Sequence, residues 1–279
     1  MKTAIRYFSG TGNTAWLADQ LKTALEKRSV AVSLGAIGLD ADPQIGPETL
    51  TLMICFPVYG LDAPPFVQEW AGRLPQGEGR SVVLVRSPGD PFFDGGTTRT
   101  MRRLLEERGW RVRVERMIVM PPNVFIRVSD DLAALLLAAA HRRIATLADD
   151  ILNGAQRLED TGSFVHYCSR ACNLLLAHNG FRFGRDLRAN KTCTRCGLCV
   201  RECPARTITM TAEGIRFGDR CTVCLRCVAR CPVKAISSRF YSWFSVENYD
   251  LAALDAADLS TLKLRSWFER RYRNYLERS

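Results

Sequence analysis

Eight of the eleven cysteines in this 279-residue chain lie between Cys193 and Cys231, at the spacing of metal ligands rather than of disulfides. Cys193, Cys196, Cys199 and Cys203 read C-x2-C-x2-C-x3-C-P, and Cys221, Cys224, Cys227 and Cys231 repeat the pattern without deviation. So tight a loop aims three thiolates at three corners of one iron–sulfide cube, and the fourth cysteine, carried past its own loop, reaches the other cube. The reading is two [4Fe-4S] clusters, one on Cys193, Cys196, Cys199 and Cys231, the other on Cys221, Cys224, Cys227 and Cys203. Pro204 and Pro232 turn the chain away from the sulfur and block competing strand pairing. A pair of zinc sites is the alternative, because C-x2-C also holds zinc. The doubled order with both prolines weighs against it. Such clusters carry single electrons, so the chemistry is electron transfer.

The segment Lys191–Ser237 repeats itself, CTRCGLCVRECP being answered by CTVCLRCVARCP and ARTITM by VKAISS, the mark of an internal duplication with pseudo-two-fold symmetry. It resembles the two-cluster ferredoxins of bacteria. Those modules are usually acidic and this one is basic, a departure that bears on the docking partner rather than on the clusters.

A second chemical site opens the chain, where Phe8-Ser9-Gly10-Thr11-Gly12-Asn13-Thr14 leads straight into a predicted helix. A phosphate there meets backbone N–H groups at a helix N-terminus, with the Ser9, Thr11 and Thr14 hydroxyls as further donors and the glycines permitting close approach. No lysine follows, which argues against a P-loop, and the glycines lack the spacing of a dinucleotide fingerprint. A single phosphomonoester fits this loop; an empty strand-to-helix turn is the bland alternative.

S-G-T-G-N-T resembles the phosphate loop of flavodoxins. The resemblance implies FMN, lying beyond the strand C-termini at the switch between the first and third strands. Its contacts would be Ser9, Gly10, Thr11, Gly12, Asn13 and Thr14 for the phosphate, then Pro57, Val58, Tyr59 and Gly60 after the third strand, with Tyr59 able to stack on the ring or simply pack. After the fourth strand, Ser87, Pro88, Gly89 and Gly95 would bring backbone groups to the flavin edge, while Phe92 and Phe93 read better as loop packing. A flavodoxin-like domain followed by a two-cluster module resembles the ferrodoxin–flavodoxin fusion family over residues 1–238. The family implies FMN and two clusters in one electron-transfer protein, with no settled substrate.

These sites need elements to position them. Short apolar strands alternate with helical stretches over the first 120 residues, the pattern of an α/β fold with a parallel sheet covered on both faces. Strands are predicted at Thr3–Phe8, Val30–Ala36, Thr49–Phe56, Ser81–Arg86 and Arg111–Met120, and helices at Thr14–Lys27, Pro65–Leu74, Thr97–Arg108 and Asp130–Asn153. Asp130 and Asp131 open the last helix, Gly154 closes it, and its Leu/Ala stripe is expected on the sheet. The predicted organisation is a flavodoxin-like five-stranded domain over 1–154, a connector without clear period over 155–190, a smaller α+β ferredoxin-like domain over 191–238 and a helical tail over 239–279. Arg6 stands as an unexplained charge in a central strand.

The formal net charge is +10, and residues 161–240 carry 14 Lys/Arg against 4 Asp/Glu while the flanking segments balance, so the excess sits on the cysteine module. Two oxidised clusters would lower that segment to roughly +6. A basic face attracts an acidic redox partner, a ferredoxin or an oxidoreductase. Nucleic acid is disfavoured, since the charge lacks the interleaved aromatics of a single-strand platform. The longest apolar run, Leu132–Ala140, is too short to cross a bilayer and Arg6 interrupts any leader, so the expected location is cytoplasmic, with a homodimer left open.

Cys55 reads as core, and Cys168 and Cys172, four apart with His166 and His178 near, read as one packed helical stripe. His141 reads as structural. Leu264, Phe268, Tyr272 and Tyr275 in Lys263–Arg278 read as a helix docked on the body. Two functions stay open: a carrier passing electrons between a low-potential donor, the clusters and FMN, or an FMN-dependent reductase of a small organic substrate, with Tyr59 and Asp90 as candidate proton donors and Phe240–Phe244 as a roof. A redox-sensing nucleic-acid binder is a remote third.

Overall fold

The computed structural model describes residues 2–38, 43, 45–92, 98–124, 126–159, 163–239 and 248–279, with only the backbone described for 163–166, 169, 170, 173, 176, 177 and 181. Five strands, β1 (Lys2–Tyr7), β2 (Ala31–Ala36), β3 (Thr51–Pro57), β4 (Ser81–Ser87) and β5 (Arg111–Met117), pair in parallel in the order β2-β1-β3-β4-β5. The order reverses between β1 and β3, which opens a crevice beyond their C-terminal ends.

The central strands β3 and β4 are near-continuous apolar runs because both their faces are covered. Leu52, Ile54, Phe56, Val82 and Leu84 point one way, beneath α2 (Pro65–Gly72) and α3 (Arg99–Glu106), where Phe66, Trp70, Met101 and Leu105 meet them. Met53, Cys55, Val83 and Val85 point the other way, beneath α1 (Asn13–Glu26) and α4 (Asp130–Leu152), against Leu17, Leu21, Leu137, Ile144 and Leu147. Ser129 caps α4 by accepting from the Leu132 amide, and Asp130 and Asp131 favour its positive N-terminal end.

Arg6 finds its account here. Its side chain lies along β2 beside Gly35 and donates to the Ile5 carbonyl at 3.1 Å and the Ser33 hydroxyl at 3.4 Å.

The segment 155–190 differs from its expectation, because 163–186 form one 24-residue helix, α5 (Ser163–Asp186). Cys168 and Cys172 are exposed on it, so they do not form a packed stripe. The second half of α5 packs on the cysteine module: Phe183 joins Leu187, Leu225 and Ile236 in one apolar cluster, and Gly180 and Gly184 let backbone meet backbone. Around that cluster, β6 (Leu187–Ala189) pairs antiparallel with Ile236–Ser238, and Ile208–Thr211 pairs with Gly214–Phe217 in a hairpin.

The tail is a chain of short helical turns, at Leu251–Asp255, Leu259–Thr261, Trp267–Arg270 and Arg273–Glu277, rather than one helix. Tyr249, Tyr272 and Tyr275 bury against α4 as the docked-tail reading expects. Their hydroxyls hold the loop after β5: Tyr275 accepts from the Val119 amide at 2.8 Å, and Tyr249 accepts from the Val128 amide at 2.9 Å. His141 Nε2 lies 2.7 Å from an Asp255 carboxylate oxygen. Phe240–Phe244 lie outside the described residues. Among the described residues no helix is long and apolar enough to cross a membrane.

Candidate functional site

The two cysteine loops run into matching helical turns, Leu198–Arg201 and Arg226–Ala229. Both copies carry left-handed backbone at equivalent places: before the turn at Arg195 and Val223, two residues after the first cysteine, and at Gly197 and Leu225, one after the second, and beyond it at Arg206 and Lys234, three after the fourth. Such angles are uncommon outside glycine, and their recurrence in both copies means that the same tight inward wrap is built twice. Sequence reading misses these positions, since only Gly197 carries a residue that signals the turn.

Cys203, Cys221, Cys224 and Cys227 line one cavity, walled by apolar side chains including Phe183, Leu225 and Phe217. Cys193, Cys196, Cys199 and Cys231 line another, beside Ile215, Val233 and Ile236. Each cavity thus takes three cysteines from one loop and the fourth from the other. Backbone amides already turn toward sulfur, Val223 N–H to Cys221 at 3.4 Å and Ala235 N–H to Cys231 at 3.2 Å. Burial pushes the Cys221 thiol up to about 12 and raises Cys224 and Cys227 as well, so thiolates in that cavity need a compensating cation. Exposed Cys196 goes the other way, held low chiefly by the Leu198 amide. Among the described residues no three His, Cys, Asp or Glu groups stand together as a site for a single metal ion.

The Ser9–Thr14 loop sits at the C-terminal end of β1, and α1 opens at Asn13 after Gly12, whose φ of 113° is reserved for glycine. No side chain caps that helix and no acid occupies its first turn, so its amides face the crevice as anion donors. The hydroxyls are used differently from expectation. Thr14 Oγ1 and Ser87 Oγ share a buried hydrogen bond of 2.7 Å, Ser87 also reaches the Phe56 carbonyl at 3.3 Å, and Thr11 Oγ1 donates to Asn123 Oδ1 at 3.1 Å. Ser9 Oγ accepts from the Gly12 amide at 3.1 Å, and Asn13 Nδ2 donates to the Pro121 carbonyl at 2.7 Å. These side chains hold the loop's shape, and Ser9 takes up the Gly12 amide, one of the loop's own backbone donors.

The loop after β3 turns tightly: the Tyr59 amide donates to the Asp62 carbonyl at 2.9 Å, with Gly60 and Leu61 left-handed. Pro57 ends β3 and Val58 is half-buried beside it. Tyr59 lies edge-on to Phe8, centroids 6.4 Å apart, and reaches its hydroxyl to the Cys224 carbonyl at 3.4 Å. After β4, the Pro88 carbonyl accepts from the Met120 amide at 2.9 Å and the Gly89 carbonyl from the Tyr272 hydroxyl at 3.0 Å. Asp90 closes its own turn on the Phe92 amide at 2.8 Å. Gly95 lies outside the described residues.

The cysteine module docks directly on the first loop. A β-carbon built on Gly10 would lie 2.2 Å from the Cys224 carbonyl oxygen, so only glycine admits this approach. Arg226 donates from Nε and Nη2 to the Ser9 carbonyl, at 2.9 and 2.6 Å, and from Nη1 to the Glu202 carbonyl at 3.1 Å, while its guanidinium carbon stands 4.7 Å from the Phe8 ring centroid. Beside this contact opens a cleft of about 770 Å³ between Ser9–Gly12 and Arg201, Arg206, Arg226 and Arg230. Uncapped amides, four arginines and a glycine floor suit a phosphate ester. Arg226 and Asn123 are the site residues that sequence reading misses.

Residues 185–232 match the family described as the 4Fe-4S dicluster domain, a match that begins in the last turn of α5. No curated protein matches the chain. Among solved structures it is similar to flavodoxin 2 from Bacillus cereus, at 17% identity over 55% of this chain and 99% of that one with a TM-score of 0.43. It is likewise similar to a flavodoxin of Streptococcus pneumonia TIGR4, at 18% identity over 56% and 100% with a TM-score of 0.42. The flavodoxin of Megasphaera elsdenii follows at 21% over 52% and 97%, with a TM-score of 0.40. The chain thus carries a five-stranded parallel sheet in the order 2-1-3-4-5, followed by a segment that matches the 4Fe-4S dicluster domain.

Proposed function

We propose that this chain is an electron carrier holding two [4Fe-4S] clusters and one FMN, and that it passes electrons between a partner protein, the clusters and the flavin. The observation that carries the reading is the contact of Cys224 with both Gly10 and Tyr59, which sets one cysteine cavity against the anion loop. In this reading Cys203, Cys221, Cys224 and Cys227 ligate the cluster nearer the flavin, and Cys193, Cys196, Cys199 and Cys231 the farther one. Each cavity is walled by four cysteines, three from one loop and the fourth from the other, the crossed ligation that a two-cluster module uses. FMN, when bound, joins one-electron donors to two-electron acceptors.

The protein's own part is to hold and insulate. The Ser9–Thr14 amides receive the phosphate, Tyr59 and Phe8 fill the gap between loop and cluster, and apolar residues keep water from the nearer cluster. Exposed Cys196 marks the side on which electrons enter, and the surrounding arginines recruit an acidic donor. A carrier is favoured over a substrate reductase because Tyr59 and Asp90, the groups best placed to move protons, are engaged with the Cys224 carbonyl and the Phe92 amide.

Anaerobic purification tests the reading, with about eight iron atoms and one FMN expected per chain. Dithionite should bleach both chromophores, and an oxidised electron acceptor protein should restore them. A chain that retains zinc, or that binds no flavin, would contradict it.

A further inference from the structure

Arg226 is part of the cluster module by position and of the anion loop by contact. It stands between Cys224 and Cys227, one residue after the left-handed Leu225, yet its guanidinium spends two of its donors on the Ser9 carbonyl. In a trans peptide the carbonyl and the next amide point in opposite directions. Fixing the Ser9 carbonyl from the cluster side therefore also fixes the direction of the Gly10 N–H, on the face of that peptide opposite the Arg226 guanidinium. A carbonyl that accepts two charge-assisted bonds also polarises its own peptide, making that amide a stronger donor.

The electrostatics run the same way. A phosphate monoester brings about two negative charges to the loop. Among the described residues no basic side chain of the first domain lines the cleft; the cations lining it are Arg201, Arg206, Arg226 and Arg230, all from the cysteine module, beside the acids Glu202 and Asp250. Glu202 is itself tied to Arg230 at 3.0 Å.

We propose that Arg226 completes the flavin phosphate site from the cluster module, so that FMN and the cluster on Cys203, Cys221, Cys224 and Cys227 raise each other's affinity. The proposal rests on the FMN reading above and adds to it a residue and a coupling. The cluster holds the Cys221–Cys227 loop in its inward wrap, the wrap places Arg226, and Arg226 orients the Ser9–Gly10 peptide. Reciprocity follows, since whatever the cluster adds to flavin affinity the flavin must add to cluster affinity.

The test is the FMN dissociation constant, measured by flavin fluorescence on cluster-loaded protein and on protein stripped by a chelator. Wild type, Arg226→Gln and Arg226→Lys are compared, with Arg216→Gln on the distant hairpin as a control for charge alone. Loaded wild type is expected to bind FMN about tenfold more tightly than stripped wild type. Arg226→Gln should erase that difference, Arg226→Lys should keep part of it because one ammonium cannot reproduce the paired bonds, and Arg216→Gln should keep all of it. FMN should also slow iron loss to the chelator in wild type and not in Arg226→Gln. Equal affinity of loaded and stripped wild type overturns the proposal, and so does equal affinity of wild type and Arg226→Gln at full iron content. If Arg226→Gln fails to hold iron, the comparison within wild type still decides. Absence of FMN binding in every form overturns the flavin reading itself, a result distinct from equal affinities.

Discussion

Gly10 shows how one missing methyl group can decide whether two redox modules meet. A β-carbon there would stand 2.2 Å from the Cys224 carbonyl oxygen and 2.6 Å from the Tyr59 hydroxyl. Gly10→Ala should cost about 1–3 kcal/mol through overpacking and pry the junction open. Iron content is expected to stay as in wild type while reduction of flavin by the clusters slows; stopped-flow absorbance checks this, and an unchanged rate would mean that electrons do not cross at this contact. Thiol chemistry separates the cysteines at the same scale. In the cluster-free chain Cys196 is exposed with its pKa lowered, whereas burial raises Cys221 to about 12 and raises Cys227 too. At neutral pH the lowered group carries more thiolate, so iodoacetamide should label Cys196 well before Cys221 and Cys227, as peptide mass mapping over time would show.

Among the elements, the strands and α1 to α4 are legible in the sequence because each has its own reason to form. β3 and β4 are apolar runs bounded by turns, α1 follows a glycine loop, and α4 has a serine cap and two acids. The cysteine sets are legible because ligand spacing is local. Helix α5 is not, since its packing half uses glycines where a periodic pattern needs side chains: β-carbons on Gly180 and Gly184 would stand 2.1 Å from the Cys221 carbonyl oxygen and 2.3 Å from the Gly218 carbonyl oxygen. Nor is Arg226, whose partner lies 217 positions away on another module. The glycine contacts make a prediction about the element itself. Gly184→Ala gains helix propensity in isolation, yet its methyl is aimed at the Gly218 carbonyl and the Cys221 side chain, so the net effect should be a loss of about 1–3 kcal/mol. The loss should fall on one cluster, leaving iron nearer half than full occupancy. Retention of full iron with higher stability would show that α5 does not brace the module.

For the whole molecule, the question is whether electrons pass between modules inside one chain or need a second copy to bridge them. The Cys224 carbonyl and the Tyr59 hydroxyl already touch, and the Arg226 guanidinium spans the same boundary to the Ser9 carbonyl. Nothing in that path calls for a partner subunit. Transfer from pre-reduced clusters to flavin should therefore be first order, with the same rate constant when the protein is diluted tenfold. Salt should separate the two steps. The internal contact is short and partly buried, where screening is weak, so the internal rate should barely change as sodium chloride rises from low to physiological strength. Delivery of electrons from an acidic donor protein depends on the field of the basic module, where residues 161–240 carry 14 Lys/Arg against 4 Asp/Glu, and its rate should fall steeply over the same range. Flash reduction of the donor, followed at the flavin band against both protein concentration and salt, reads the two steps in one experiment. An internal rate that scales with protein concentration would assign the crossing to a dimer, and a donor rate indifferent to salt would remove the acidic partner from the account.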